Sequence, residues 1–435
     1  MIKRLFSSQL RVNMVSGVAV TIFNSVILAV MYPLYLHYLG YEQYGIWLVL
    51  STVVSFAQLG NLGINQAIMK LVAEEYGRND LDAVQQYVSS AVALLLVSGI
   101  VVLVLIRVLR EPIIALFKLS DENARTVSWL LPYIACLSMY IFIVQAVNAV
   151  LAGMGRMDLS NYIQTAGRAM GLLMTGVLLY QGRGISSLLL GSTFSYVFTH
   201  IGSLVVIHRI MPLPLLQVRN IGLERIRRLL SFGTAVLGTS LVSMLLTPFN
   251  KLMLARYAGV ASVPVYDIAY FGSMQVRGLI EAGFRALTPE ISRLTGDMNA
   301  RVKERIRRVY RTAINAVFAL GIPVYGSLLM FLDTLLRLWL QDRMTAGLTW
   351  TFRVMLVGSF LSLMCVPAYY TLLGLGRADQ CFIGQVLQAG INATIVVGIV
   401  AVSAELSVLH VVLASLPAIG ATTVYLTIQN RRALQ

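Results

Sequence analysis

Twelve apolar runs recur along this chain, each long enough or nearly long enough to cross a lipid bilayer, and no other feature limits its fold so strongly. They lie near residues 12–37, 46–71, 85–108, 127–152, 160–180, 185–208, 229–256, 264–287, 312–333, 347–370, 381–403 and 405–428. A helix needs roughly 20 predominantly apolar residues to span the hydrocarbon core. In lipid the backbone must satisfy its own hydrogen bonds, which leaves helices or closed barrels. Barrel strands would appear as alternating segments of about 10 residues, and these runs are longer and continuous. The expected fold is therefore an all-α polytopic membrane protein with twelve transmembrane helices. Composition agrees: 57% of the 435 residues are hydrophobic and 12% are charged, whereas a soluble chain carries about a quarter charged residues. The first run follows Lys3, Arg4 and Arg11 as a signal peptide would, but it is too long and no small-x-small cleavage site follows it.

The charge balance sets the expected orientation. There are 34 Lys and Arg against 19 Asp and Glu. The densest basic block is Arg293, Arg301, Lys303, Arg305, Arg307, Arg308 and Arg311, and a second is Arg225, Arg227 and Arg228. Both fall on the cytoplasmic side if the N-terminus is inside, as the positive-inside rule prefers. Both termini are then cytoplasmic. The loop at 109–126 is an exception, with Arg110, Lys118 and Arg125 facing outward beside Glu111, Asp121 and Glu122. Val302, Ile306 and Val309 share one face of the 301–311 segment, a pattern that also fits an amphipathic helix on the inner leaflet. Topology determination accounts for the basic blocks without a nucleic-acid partner.

The chain repeats itself. Leu151, Gly153, Gly155, Arg156 and Asp158 recur as Leu372, Gly374, Gly376, Arg377 and Asp379, 221 residues later. A weaker match sets Gly40 and Tyr44 against Gly259 and Tyr266. Each copy of the stronger motif follows the fourth span of its half. The organisation expected is an N-terminal lobe over 1–208, a basic linker over 209–228 and a C-terminal lobe over 229–435. Even span numbers per half make these parallel repeats. Glycine suits the tight turns, Arg156 and Arg377 can cap helix carboxyl ends or hold headgroups, and Asp158 and Asp379 can cap the following helices. Pro33 and Pro248 sit at roughly equivalent points of the first and seventh spans and suggest broken helices at a transport site.

Ionisable residues inside spans are costly and mark function. Arg277 sits near the middle of the eighth span, with Glu281 and Arg285 each one turn further along the same face. Lys251, Arg353 and Arg168 add three more intramembrane cations. Asn24, Gln58, Asn61 and Asn65 supply polar side chains in the first two spans, with interhelical hydrogen bonding as their simpler role. The cationic excess suits an anionic passenger such as a phosphate. A cation exporter calls for a deep, unpaired carboxylate, and the first half has none. Glu281, between two arginines, is the candidate for proton or cation coupling. No nucleotide-binding Walker motif, metal-binding histidine spacing or large outer loop appears. The expectation is no enzyme, no metal and no cofactor. Cys136, Cys365 and Cys381 read as small apolar packing residues.

The stretch 39–80, with Leu39-Gly40, Tyr44-Gly45-Ile46-Trp47 and Asn61-Leu62-Gly63, resembles the O-antigen-type polysaccharide flippases of the multidrug/oligosaccharidyl-lipid/polysaccharide (MOP) exporter superfamily. Leu230-Ser231-Phe232-Gly233, Tyr266-Asp267-Ile268-Ala269 and Pro289-Glu290-Ile291-Ser292 are similar to later motifs of that family. The resemblance implies two pseudo-symmetric six-helix lobes around a central cavity that alternates in access. It implies a passenger, an undecaprenyl-pyrophosphate-linked oligosaccharide, moved to the periplasmic leaflet of the bacterial inner membrane for O-antigen, capsule or exopolysaccharide assembly. An ion gradient of H+ or Na+ would drive it. Membrane lipids, a polysaccharide polymerase and chain-length proteins would be its partners. Asn250-Lys251 stands where the family often carries an acidic residue. The alternatives are a MATE-like drug/cation antiporter and a membrane-embedded glycan polymerase or transferase.

Overall fold

The computed structural model describes residues 8–211, 221–284, 287–294, 300–403 and 405–435, and among them there is no strand. Lys3, Arg4, the linker residues 212–220 and Arg285 lie outside the described residues. Fourteen α-helices follow in order: α1 (Ser8–Ala57), α2 (Ile64–Gly77), α3 (Leu81–Val108), α4 (Arg110–Leu116), α5 (Asp121–Gly153), α6 (Met157–Tyr180), α7 (Ser186–Ile210), α8 (Leu223–Tyr257), α9 (Ser262–Glu281), α10 (Leu287–Leu294), α11 (Ala300–Leu340), α12 (Ala346–Gly374), α13 (Ala378–Ser403) and α14 (Val408–Leu434). Most predicted spans lie within single helices, with edges moved by a few residues; the second, 46–71, is instead divided between α1 and α2 by a 3-10 turn, and the eighth, 264–287, is helical as α9 only to Glu281, with residues 285 and 286 outside the described residues. Among the described residues, eight helical stretches are long and apolar enough to cross a membrane. The first two predicted spans fall largely in one of these stretches, Ala19–Asn61, and α6, α8 and α9 are not among them; polar and charged side chains such as Arg168, Asp267 and Arg277 lower the hydropathy of α6 and α9.

The breaks fall at glycines and 3-10 turns rather than at prolines. α1 kinks at Gly40, whose φ of 67° is left-handed. A 3-10 turn, Gln58–Asn61, then leads through left-handed Leu62 and Gly63 into α2. A 3-10 turn over Ala282–Phe284 follows α9. Pro33 and Pro248, expected to break their helices, instead lie inside continuous ones.

The chain forms two compact units, residues 1–241 and 242–435. In the first, α2, α3 and α5 share a core in which Ile68, Val72, Val88, Leu95, Phe142 and Val150 are buried. There the Asn61-Leu62-Gly63 turn meets Phe232-Gly233: a Cβ on Gly233 would lie 2.5 Å from the Leu62 carbonyl oxygen, so both backbones need glycine to approach. Lys70 sits 4.5 Å from the centre of the Phe232 ring. The pair α6 and α7 packs through small residues. Gly167, Gly171 and Thr175 face Gly191, Ser195 and Thr199, and a Cβ on Gly191 would lie 2.8 Å from the Gly171 carbonyl oxygen. Small residues at this spacing let transmembrane helices approach closely where lipid supplies no hydrophobic drive.

In the second unit, Cys365, Ala368, Leu372, Cys381 and Leu426 form a core among α12, α13 and α14. The 41-residue α11 begins with the basic block. Its Ile306 is buried with Ile291 of α10 and Leu434 of α14, and Val302 packs against the same cluster. That apolar face is therefore used inside the protein, which corrects the reading of this segment as a helix lying on the leaflet.

The internal repeat is a matched pair of helix ends. Arg156 N donates to the Leu151 carbonyl at 3.0 Å and Arg377 N to that of Leu372 at 2.9 Å. Gly155 and Gly376 both have φ 77°. Each is a helix stop closed by a left-handed residue. A Cβ on Gly153 would come within 2.8 Å of the Met69 carbonyl of α2, and one on Gly374 within 2.9 Å of the Thr288 carbonyl of α10. Asp158 does not cap α6: it pairs with Arg156 at 3.2 Å, and the N-cap position is Arg156 itself, without a side-chain cap.

Candidate functional site

Each unit encloses a polar cavity. The cavity of the first unit, about 420 Å³, is lined by Asn24 of α1, Gln145 of α5, Gln164 and Arg168 of α6 and Tyr196 of α7, with hydroxyls from the small-residue seam. That seam fixes the two helices that carry Arg168 and Tyr196. Among the described residues no carboxylate lines this cavity, and Arg168 has no acidic partner. The Asn24 carbonyl oxygen is buried without a hydrogen bond. The neighbouring amides are engaged in part: Asn65 Nδ2 donates to Gln145 Oε1 at 2.8 Å and the Asn65 backbone N–H donates to Asn61 Oδ1 at 3.3 Å, while Asn61 Nδ2 and Asn65 Oδ1 are buried without a hydrogen bond. Asn61 thereby ties down the start of α2, while Gln58 opens the 3-10 turn before it. Glu42, the lone acid of the loop after the first span, accepts from Asn123 Nδ2 at 2.9 Å.

The cavity of the second unit, about 330 Å³, is lined by Arg277 and Glu281 of α9, Tyr370 of α12, Gln385 and Gln388 of α13 and Thr422 of α14. Here the cation is paired. Arg277 reaches Glu281 at 3.2 Å, one helical turn away. Tyr370 OH donates to the other carboxylate oxygen at 2.9 Å. Arg277 Nε is left without a partner. The expected ladder thus holds between its first two members, and its third, Arg285, lies outside the described residues.

The remaining two cations have carboxylates of their own. Lys251 is 8% exposed and forms an ion pair with Asp267, 2% exposed, with its ammonium also 5.5 Å from the Phe271 ring centre. Beside it, Asn392 Nδ2 donates to Asn250 Oδ1 at 2.8 Å and Asn250 Nδ2 to Tyr266 OH at 3.1 Å, which ties α13 to α8 and α9. Arg353 pairs with Asp333 of α11 and lies over the Trp350 ring, 5.0 Å from its centre. Neither Lys251 nor Arg353 lines the cavity that Arg277 lines. Asp267, Asp333 and Tyr370 escaped the sequence reading. Asp267 had a signal: Lys251 and Asp267 stand eight residues either side of Gly259, the left-handed turn residue (φ 83°) of an antiparallel helix pair, so they face each other across it.

The geometry offers one unpaired guanidinium among amides and hydroxyls, and one carboxylate held between an arginine and a tyrosine. Among the described residues no group of three His, Cys, Asp or Glu side chains is placed to hold a metal ion.

A family model described as "Polysaccharide biosynthesis protein" matches residues 10–295. Several solved structures are similar throughout. A multidrug resistance MATE family transporter of the MOP superfamily, in an inward-facing conformation, gives a TM-score of 0.76 at 15% identity, covering 95% of this chain and 94% of its own. The lipid II flippase MurJ gives 0.74 at 12% identity over 95% of this chain and 87% of its own. A MOP superfamily transporter from Pyrococcus furiosus gives 0.61 at 14% identity over 98% and 94%. At these identities the likeness is one of fold. No curated protein matches the chain significantly.

Proposed function

The chain belongs to the polysaccharide biosynthesis protein family, and from that premise we propose that it is a flippase, a secondary transporter that carries an undecaprenyl-pyrophosphate-linked oligosaccharide from the cytoplasmic to the periplasmic leaflet of a bacterial inner membrane by alternating access. The two units serve as its lobes, and both termini face the cytoplasm. The observation that carries the reading is the cavity of the first unit. Its single cation, Arg168, has no acidic partner among the described residues, and its lining is otherwise amides, hydroxyls and apolar groups. A guanidinium binds phosphate oxygens in a planar, two-pronged fashion, and amides and hydroxyls match the hydroxyls of a glycan. A cationic drug would meet only repulsion there, which is why a drug/cation antiporter is the weaker reading.

The second unit supplies the coupling. Glu281 holds Arg277 while it is ionised. Protonation removes the carboxylate charge, leaves the Tyr370 hydrogen bond to reorganise, and frees the Arg277 guanidinium for an anion. An ion gradient then drives the cycle through Glu281. Lys251 and Arg353 act as structural ion pairs in this scheme.

The test is surface glycan display in a host lacking its own flippase, with variants compared at matched membrane levels. Arg168→Ala should lose most display and accumulate lipid-linked glycan in the inner membrane. Arg168→Lys should recover part of it, because the charge remains but the two-pronged geometry is lost. Full display by Arg168→Ala would remove the reading's main support.

A further inference from the structure

A third cavity lies apart from both polar chambers. It measures about 480 Å³ and sits at the arginine-bearing end of the second unit, between the start of α11 and the end of α14. Arg307, Tyr310 and Arg311 contribute from α11, and Thr427, Asn430 and Arg431 from α14. Gln435 also lines it, and among the described residues no Asp or Glu side chain does. Arg307 is held by Glu304 at 3.1 Å and by the Leu434 carbonyl at 2.9 Å, whereas Arg311 and Arg431 have no acidic partner among the described residues. Asn430 is the buried amide of the cavity lining. It is fully buried and its side chain lies within reach of the Tyr310 hydroxyl, a contact short of full hydrogen-bond geometry that leaves both Nδ2 and Oδ1 incompletely satisfied. A buried amide left unsatisfied is costly, and such a group asks what completes it.

We infer that this cavity is a binding site for the phosphate of a membrane-lipid headgroup, held by Arg311 and Arg431 and by the amide N–H of Asn430. Two guanidiniums converging with one neutral donor suit phosphate oxygens. The lipid source is argued from α14 itself. Val424 and Ile428, 59% and 43% exposed, precede Arg431 at helical spacings of seven and three residues, so they share its face. An acyl chain can lie along that exposed apolar stripe while its phosphate reaches the arginines. The Lys/Arg bias puts this end at the cytoplasmic leaflet, whose anionic lipids attract such clusters. This site stands whether or not the passenger is a lipid-linked glycan.

The experiment uses the purified full chain in neutral detergent. Native mass spectrometry and thermal unfolding are read with added phosphatidylglycerol, phosphatidylcholine or inorganic pyrophosphate. Phosphatidylglycerol should give a retained adduct and a higher melting temperature, and phosphatidylcholine much less of either. The double variant Arg311→Ala/Arg431→Ala should weaken phosphatidylglycerol binding at least tenfold. Asn430→Asp provides a second, near-isosteric test, because the new carboxylate gives the arginines an internal counter-ion; it should fold and still lose the lipid. Equal binding by wild type and both variants would overturn the site. Stabilisation by pyrophosphate alone, lost in the variants, would overturn the lipid source and assign the arginines to a water-soluble phosphate.

Discussion

The ion pair of Lys251 and Asp267 gives the sharpest test of what holds the second unit together. Both side chains are almost fully removed from solvent. Removing one partner leaves the other buried and uncompensated, which costs about 3–5 kcal/mol. That is roughly two to three and a half orders of magnitude in the folding equilibrium. Lys251→Met and Asp267→Leu should each show a loss of this size. Replacing both, as Lys251→Met/Asp267→Leu, removes the desolvation cost together with the attraction and should restore stability to within about 1 kcal/mol of wild type. The two sites are in contact, so the cycle should be strongly non-additive, with a coupling of at least about 3 kcal/mol. The assay is denaturant unfolding in detergent followed by tryptophan fluorescence, with glycan display measured in parallel. A stable Lys251→Met variant would refute the buried-pair account. A stable double variant that displays no glycan would show instead that Lys251 touches the passenger.

Two further outcomes follow from the same geometry. Glu281→Gln should leave Arg277 permanently without its ionised partner and uncouple glycan display from the ion gradient, whereas Arg277→Ala should lose display and Arg277→Lys regain part of it; gradient-dependent transport by Glu281→Gln, measured in proteoliposomes, would rule out that carboxylate as the coupling group. Gly171→Val should force α6 and α7 apart, since a Cβ there already lies 2.9 Å from the Gly191 carbonyl oxygen; overpacking of about 1–3 kcal/mol should appear as a lower melting temperature and lower membrane abundance, while Gly176→Val, where the nearest atom to a Cβ is 3.6 Å away, should be tolerated.

The helices were legible because apolar run length is a one-dimensional property, and the lipid solvent turns it directly into structure. The repeat was legible for a similar reason: Gly155 and Gly376 occupy a left-handed turn that other residues adopt at a cost, so the sequence keeps the mark of the geometry. The roles of the charges were harder to read, because a charge acquires meaning from its partner. Lys251 and Arg353 are each an isolated cation in the sequence, and the structure pairs them with Asp267 and Asp333 as it pairs Arg277 with Glu281. Only Glu281 lies within one helical turn of its arginine, where spacing reveals it. Asp267 lies across a helical hairpin and Asp333 on a preceding helix, so both needed tertiary placement. Prolines misled for a related reason: Pro33 and Pro248 remain inside continuous helices, while the actual interruptions are at Gly40, Leu62 and Gly63, where backbone torsions rather than a missing donor turn the chain.

The two units now pose one physical contrast. Their helix stops share donors, acceptors and torsions, and in each the motif's first glycine lies against a backbone carbonyl of a short helix, α2 in one unit and α10 in the other. The two units therefore coincide where backbones touch, because a side chain there has no room. The cavities are lined by side chains, and those differ: an arginine without an acidic partner among the described residues in one unit, an arginine neutralised by a glutamate that also accepts from a tyrosine in the other. In a low-dielectric interior these are opposite settings of the same device. An unpaired guanidinium attracts an anion at all times. A paired one attracts an anion only after its carboxylate has been protonated. Under the proposed function, the constant cation Arg168 would bind a phosphate and the switchable pair of Arg277 and Glu281 would tie its release to a proton, so binding and coupling would fall in different units.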